Sequence, residues 1–149
     1  MPNSELGRAL RESTVDVLEK MFFAQPLEEP AGDLPGAVLA VKLAFEGAPS
    51  GALTLTVTED AARQIAADFL GEDENEISGR KVEEVTCELA NMICGSVLSR
   101  VESQATFRLA SPQLLAAEAW RLDPHPGEAR VVHSVALEKG KLTAVMETH

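Results

Sequence analysis

Two alternating runs separated by a short turn constrain this chain most. From Val38 to Phe45, one face carries Leu39, Val41, Leu43 and Phe45 and the other Val38, Ala40, Lys42 and Ala44; after Gly47-Ala48-Pro49-Ser50-Gly51, the run Leu53 to Val57 alternates again. A period of two is that of a half-buried strand, and two such runs flanking a Gly- and Pro-containing turn predict an antiparallel hairpin. An isolated hairpin is at best marginally stable in water, so its apolar face has to be covered.

The cover is supplied by helical periodicity. A first helix is expected from an N-cap at Asn3 or Ser4 to about Phe22, with Leu6, Leu10, Val17, Leu18 and Met21 as its apolar set and Gln25-Pro26 marking its end. Thr58 is a natural N-cap for a second helix, Glu59 to about Leu70, which Gly71 ends, and Ser78 caps a long third helix to about Glu102. Between these, Pro26 to Gly36 reads as a solvated connector and Glu72 to Glu76 as an acidic loop. Thr106 to Leu109 is a short strand candidate, and Leu114 to Trp120 fits a helical turn or a strand. Arg130 to Glu138 and Lys141 to Thr148 flank Lys139-Gly140 as a second hairpin. Two hairpins among three helices, without regular strand-helix-strand alternation, predict an α+β class: helices packed on a largely antiparallel sheet, one domain over residues 1–149.

A formal net charge of −11 argues against nucleic acid as a partner, since that binding depends on Lys and Arg neutralising phosphates. The sequence has neither an apolar run of membrane-span length nor a signal-peptide layout, so a cytoplasmic location with no membrane partner is expected. Cys87 and Cys94 sit seven apart on one helix, hence about 10 Å apart along its axis, too far to bridge each other. Reduced, partly buried thiols are expected there. His125, His133 and His149 show no ligand spacing, and neither a metal nor a cofactor of the chain's own is expected.

The third helix carries the candidate chemistry. At about 100° per residue, with Glu84 at zero, Glu88 falls near 40° and Asn91 near 340°, so two carboxylates and a carboxamide share a narrow stripe. Val85, Leu89, Met92, Ile93 and Ser96 form the broad core-facing stripe. Gly95 lies near 20°, where a bare backbone lets another surface come close. Arg80 and Lys81, one turn before Glu84, give that carboxylate a local explanation, and the same spacing fits a solvated face. Glu88 has no cation three or four positions away, leaving its carboxylate free for an outside partner. The chain shows no nucleophile beside a base and no Gly-rich phosphate loop, so the stripe is better suited to completing another protein's active site than to running a reaction alone.

Glu-Leu-Ala-Asn at 88–91, continuing into Met-Ile-Cys-Gly-Ser-Val-Leu, resembles the signature helix of the CheC, CheX and FliY phosphatases of bacterial chemotaxis. Their pattern is an acidic or Ser residue, three positions, Glu, two positions, Asn and a later Pro, matched here by Glu84, Glu88, Asn91 and Pro112. The opening helix holds no second copy, which resembles the CheX-like branch. The resemblance implies a phosphatase of the aspartyl phosphate on a CheY-like response regulator. In that reading Asn91 orients the attacking water, Glu88 pairs with the regulator's active-site Lys, Glu84 and Gly95 contact the partner, and Mg belongs to the regulator. It also implies a homodimer, which fits two hairpins whose outer strands could pair across a twofold axis, with Lys141 to Thr148 as the expected sheet edge. The rival reading is a non-catalytic adaptor of the same fold that docks a regulator or a flagellar or signalling partner. A small-molecule binding domain would need an internal apolar pocket that the sequence does not indicate.

Overall fold

In the computed structural model, the described residues are 3–27, 38–47, 50–102, 106–115 and 129–148. They form helices α1 (Asn3–Met21), α2 (Glu59–Leu70) and α3 (Gly79–Val101), and strands β1 (Val38–Glu46), β2 (Gly51–Thr58), β3 (Arg108–Leu109), β4 (Gln113–Leu114), β5 (Arg130–Leu137) and β6 (Gly140–Thr148). The sheet runs β3-β1-β2-β6-β5, with β4 also on the outer edge of β1, and every pairing is antiparallel. This is the α+β class the periodicity predicts, with both hairpins in place.

The register follows the side-chain pattern. Val41, Leu43 and Phe45 of β1 lie opposite Leu55, Leu53 and Gly51 of β2, and the apolar members of this set are buried beneath the helices with Leu142, Ala144 and Met146 of β6. A one-residue slip would turn that whole row to the other face, so the core fixes the pairing. α3 lies on the same core through Val82, Val85, Leu89, Ile93 and Val97, each buried. Each aliphatic side chain of this kind contributes roughly 1.5–3 kcal/mol by leaving water. Met92 and Ser96, expected in that stripe, are half-buried; Ser96 donates to Ser13 Oγ of α1 at 3.0 Å. Arg100 ties the same helices together through Glu12 and Asp16.

Three local expectations need correction. Met21 is exposed while Phe22, one residue on, is fully buried and stacks on Phe69 of α2, with centroids 4.6 Å apart. The aromatic ring, rather than Met21, fills the core position at the helix end. Thr58 occupies the N-cap position of α2 without capping it. Its hydroxyl instead donates to the Lys141 carbonyl at 3.2 Å and accepts from the Lys141 amide at 2.8 Å, tying the end of β2 to β6. Lys141 to Thr148 is not a sheet edge, because β6 is paired on both sides, with β2 and β5. The outer strand on that side is β5, joined in part by a bridge from Leu27 to Ala136. Ser78 and Gly71 cap as expected: the Ser78 hydroxyl accepts from the Lys81 amide, and Gly71 is left-handed at φ 68°. Leu114 resolves to strand, while the connector from residue 28 on, residues 116–120, His125 and His149 lie outside the described residues.

His133 sits opposite Ala144 on the helix-facing side of β5, and its Nε2 is buried without a hydrogen-bond partner among the described residues. Burial, helped by Arg11 of α1, lowers its pKa below the usual 6.5. The unfolded chain therefore binds this proton more readily than the folded one. Stability present above about pH 6.5 should be lost as pH falls through the window between the two pKa values. Melting curves at pH 7.5 and pH 5 should show a smaller acid-induced drop for His133→Phe than for the wild type. Equal drops would remove His133 from the acid response.

Candidate functional site

Because Val82, Val85, Leu89 and Ile93 bind α3 to the core, the helix must present Glu84, Glu88 and Asn91 away from it. Glu84 and Glu88 are exposed and Asn91 is half-buried. Glu84 accepts a hydrogen bond from Arg80 Nε at 3.2 Å. Lys81 does not help to hold Glu84; its ammonium reaches both carboxylate oxygens of Glu72, at 3.0 and 2.8 Å. No hydrogen bond or ion pair engages the Glu88 or Asn91 side chain among the described residues. On one helix face, one carboxylate is paired internally, and the next carboxylate and the carboxamide are left available.

Facing this stripe is a second wall. Glu84, Cys87, Glu88 and Asn91 line an open groove of about 310 Å³ with Leu109, Ala110, Ser111 and Pro112. The wall is held by β1: the Ala110 amide donates to the Ala44 carbonyl and the Leu115 amide to the Ala40 carbonyl, each at 2.9 Å. Phe107 packs edge-on against Phe45 at 6.3 Å, anchoring the approach to the same loop. Pro112, more than twenty positions from Asn91 in sequence, thus shares a groove with it. The sequence marks Leu109 only as the end of a short strand candidate and carries no functional signal for Leu109, Ala110 or Ser111. The only pointer to them is their proximity to Pro112.

Cys87 is the other groove residue that the stripe does not include. Burial, followed by the nearby Glu83 and Glu84 charges, raises its pKa, so the thiol stays protonated at neutral pH. A protonated thiol is a poor nucleophile. Cys94 is buried in the core and its pKa is pushed up to about 12 by burial. Both cysteines are free thiols. Among the described residues no three His, Cys, Asp or Glu side chains are grouped to hold a metal ion, and no helix is long and apolar enough to cross a membrane.

Gly95 does not line the groove. It lies one turn beyond Asn91, and a Cβ built there meets nothing within 4 Å. Packing among the described residues therefore gives no reason for glycine at that point. Gly95→Ala should raise stability by about 1 kcal/mol, since glycine is the poorer helix former. If the helix face docks a partner closely, the same variant should bind that partner more weakly. Thermal melting and titration check the two halves separately, and unchanged affinity would remove Gly95 from the contact.

A family profile described as chemotaxis phosphatase CheX matches residues 39–135. Among solved structures, the chain is similar to the chemotaxis protein CheX from Vibrio vulnificus, with 18% identity, a TM-score of 0.77, and 100% of this chain and 99% of that one covered. CheX from Desulfovibrio desulfuricans matches with 19% identity, a TM-score of 0.72 and coverage of 97% and 99%. A CheX–CheY–BeF3–Mg2+ complex from Borrelia burgdorferi matches with 15% identity, a TM-score of 0.71 and coverage of 95% and 96%. Identities this low speak for the fold. No curated protein sequence matches the chain. The profile covers well over half of the sequence, including β1, α3 and the loop that together build the groove, and on that match the protein belongs to the CheX chemotaxis phosphatase family.

Proposed function

We propose that this protein removes the phosphoryl group from the aspartyl phosphate of a CheY-like response regulator. The observation that carries the reading is the groove itself, in which Glu88 and Asn91 have no hydrogen-bond or ion-pair partner among the described residues and share the lining with Pro112. The Borrelia burgdorferi relative, crystallised with CheY, BeF3 and Mg2+, supports a regulator of this kind as the partner.

An acyl phosphate carries a good leaving group, so what a helper protein has to add is a positioned nucleophile. In our reading the Asn91 carboxamide oxygen accepts a hydrogen bond from a water and aims its oxygen at phosphorus. The P–O bond to the regulator's aspartate breaks, the carboxylate departs, and inorganic phosphate is released. Glu88 pairs with a regulator Lys and holds the two surfaces in register, while Glu84 and Gly95 contact the partner. Mg2+ is the regulator's, and this chain supplies no cofactor. Orienting water by a side-chain amide is the role Gln plays in GTPases. A hundredfold acceleration requires about 2.7 kcal/mol.

The test is the decay of a phosphorylated regulator with and without this protein. Faster loss, first order in the complex at saturation, supports the proposal. Binding that leaves decay unchanged is the adaptor outcome and counts against catalysis. We also expect a homodimer, in which any strand pairing between copies would use an outer edge of the sheet, β5 on one side or β3 and β4 on the other. Sedimentation that shows only single chains at tens of micromolar would contradict it.

A further inference from the structure

Five large hydrophobic side chains are exposed among the described residues, and four of them, Met21, Phe23, Leu27 and Leu70, belong to the ends of α1 and α2 and the segment after α1. The Phe22–Phe69 stack brings those helix ends together. Phe23 is the most exposed of the five, at 68%, and it has a φ of 58°, in the left-handed region. α1 ends at Met21, so Phe22 is its cap and Phe23 the residue after it, where glycine is the usual choice; the next amide, of Ala24, donates back to the Leu18 carbonyl at 2.9 Å. A phenylalanine there bears both backbone strain and solvent exposure, and nothing within the described fold compensates for either.

Beside it lies a cavity of about 240 Å³ between the segment after α1, α2 and the β5–β6 turn. Phe23, Leu27, Ile65 and Leu137 are among its lining, and the charged side chains in that lining are both carboxylates, Asp68 and Glu138. The space falls below the roughly 300 Å³ at which small-molecule sites begin and suits the insertion of an anchoring side chain.

We propose that this end of the molecule docks a cationic amphipathic segment of another protein. Aliphatic side chains of the segment would enter the cavity beside Phe23 and Leu27, and its Lys or Arg residues would meet Asp68 and Glu138. Charge selects this occupant. A second copy laid on the same patch would bring two more carboxylates to it and, from this lining, no cation to meet them, and like charges gathered in one contact are costly. The patch shares no residue with the α3 groove, so it stands whether or not the phosphatase reading does.

The test is fluorescence anisotropy with a short synthetic Leu/Lys amphipathic helix, alongside its Leu/Glu counterpart. Wild-type protein should bind the Lys peptide and not the Glu peptide. Affinity should fall about tenfold or more in both Phe23→Gly, which relieves the left-handed strain and so should fold at least as well, and Asp68→Lys. Glu5→Lys, the same charge change at the far end of α1, should have little effect. Equal losses in Asp68→Lys and Glu5→Lys would mean diffuse attraction to an acidic protein and overturn the proposal. So would undiminished binding by Phe23→Gly, or self-association in sedimentation that Phe23→Gly abolishes.

Discussion

Asn91→Ala is expected to leave regulator binding nearly unchanged and to cut turnover of the aspartyl phosphate by about a hundredfold, a loss of about 2.7 kcal/mol of transition-state stabilisation. Glu88→Lys is expected to abolish the complex, and turnover with it, because in the proposed pairing it would set a cation against a regulator Lys. The distinction rests on position. Asn91 is half-buried on the wall of the groove, where it can hold a water, whereas Glu88 is exposed and reachable by a long partner side chain. Both variants should remain folded, since neither side chain makes a hydrogen bond or ion pair within the described structure and surface changes usually shift stability by no more than about 0.5 kcal/mol. Glu84→Gln should have a much smaller effect, as Arg80 already pairs with that carboxylate. Affinity and single-turnover rate, measured for each variant, separate the roles.

Gly51→Ala should destabilise the fold by about 3 kcal/mol or more, at the upper end of what overpacking costs. Gly51 opens β2 between β1 and β6, and a Cβ added there would lie 1.9 Å from the Glu147 carbonyl oxygen and 2.9 Å from Cζ of Phe45. The first of these is backbone of a paired strand, which cannot swing aside as a side-chain tip can. Relief would require parting β2 from β6, beside the fully buried Leu53 and Met146. Denaturant unfolding should show a lower midpoint with an unchanged slope. A shift below about 1 kcal/mol would mean that the strand end gives way freely. The contrast with Gly95→Ala is instructive, because the same substitution should be stabilising on the open helix face.

Much of this architecture is legible from periodicity, and the failures have identifiable causes. The alternation in Val38 to Phe45 and Leu53 to Val57 specifies a hairpin because its apolar row has one place to go, and the structure pairs Leu43 with Leu53 accordingly. Strand order carries no such local signal. Lys141 to Thr148 reads as an edge in isolation, yet its alternate residues Leu142, Ala144 and Met146 are all fully buried between β2 and β5. Thr58 shows a related limit: its hydroxyl could cap a helix or bind a neighbouring strand, and the approach of Lys141 decides between them. At the groove, the helical spacing of Glu84, Glu88 and Asn91 identifies one wall. The other wall depends on β1 holding the 109–112 loop against it, a long-range contact that spacing along the helix cannot express.

Whether α3 supplies the chemistry is decided by single-turnover loss of aspartyl phosphate from a phosphorylated CheY-like regulator at saturating concentrations of this protein. The expected result is strong acceleration by the wild type, none by Glu88→Lys, and a complex with Asn91→Ala that forms but decays close to the unassisted rate. Wild-type acceleration that persists in both variants would place the site elsewhere than α3.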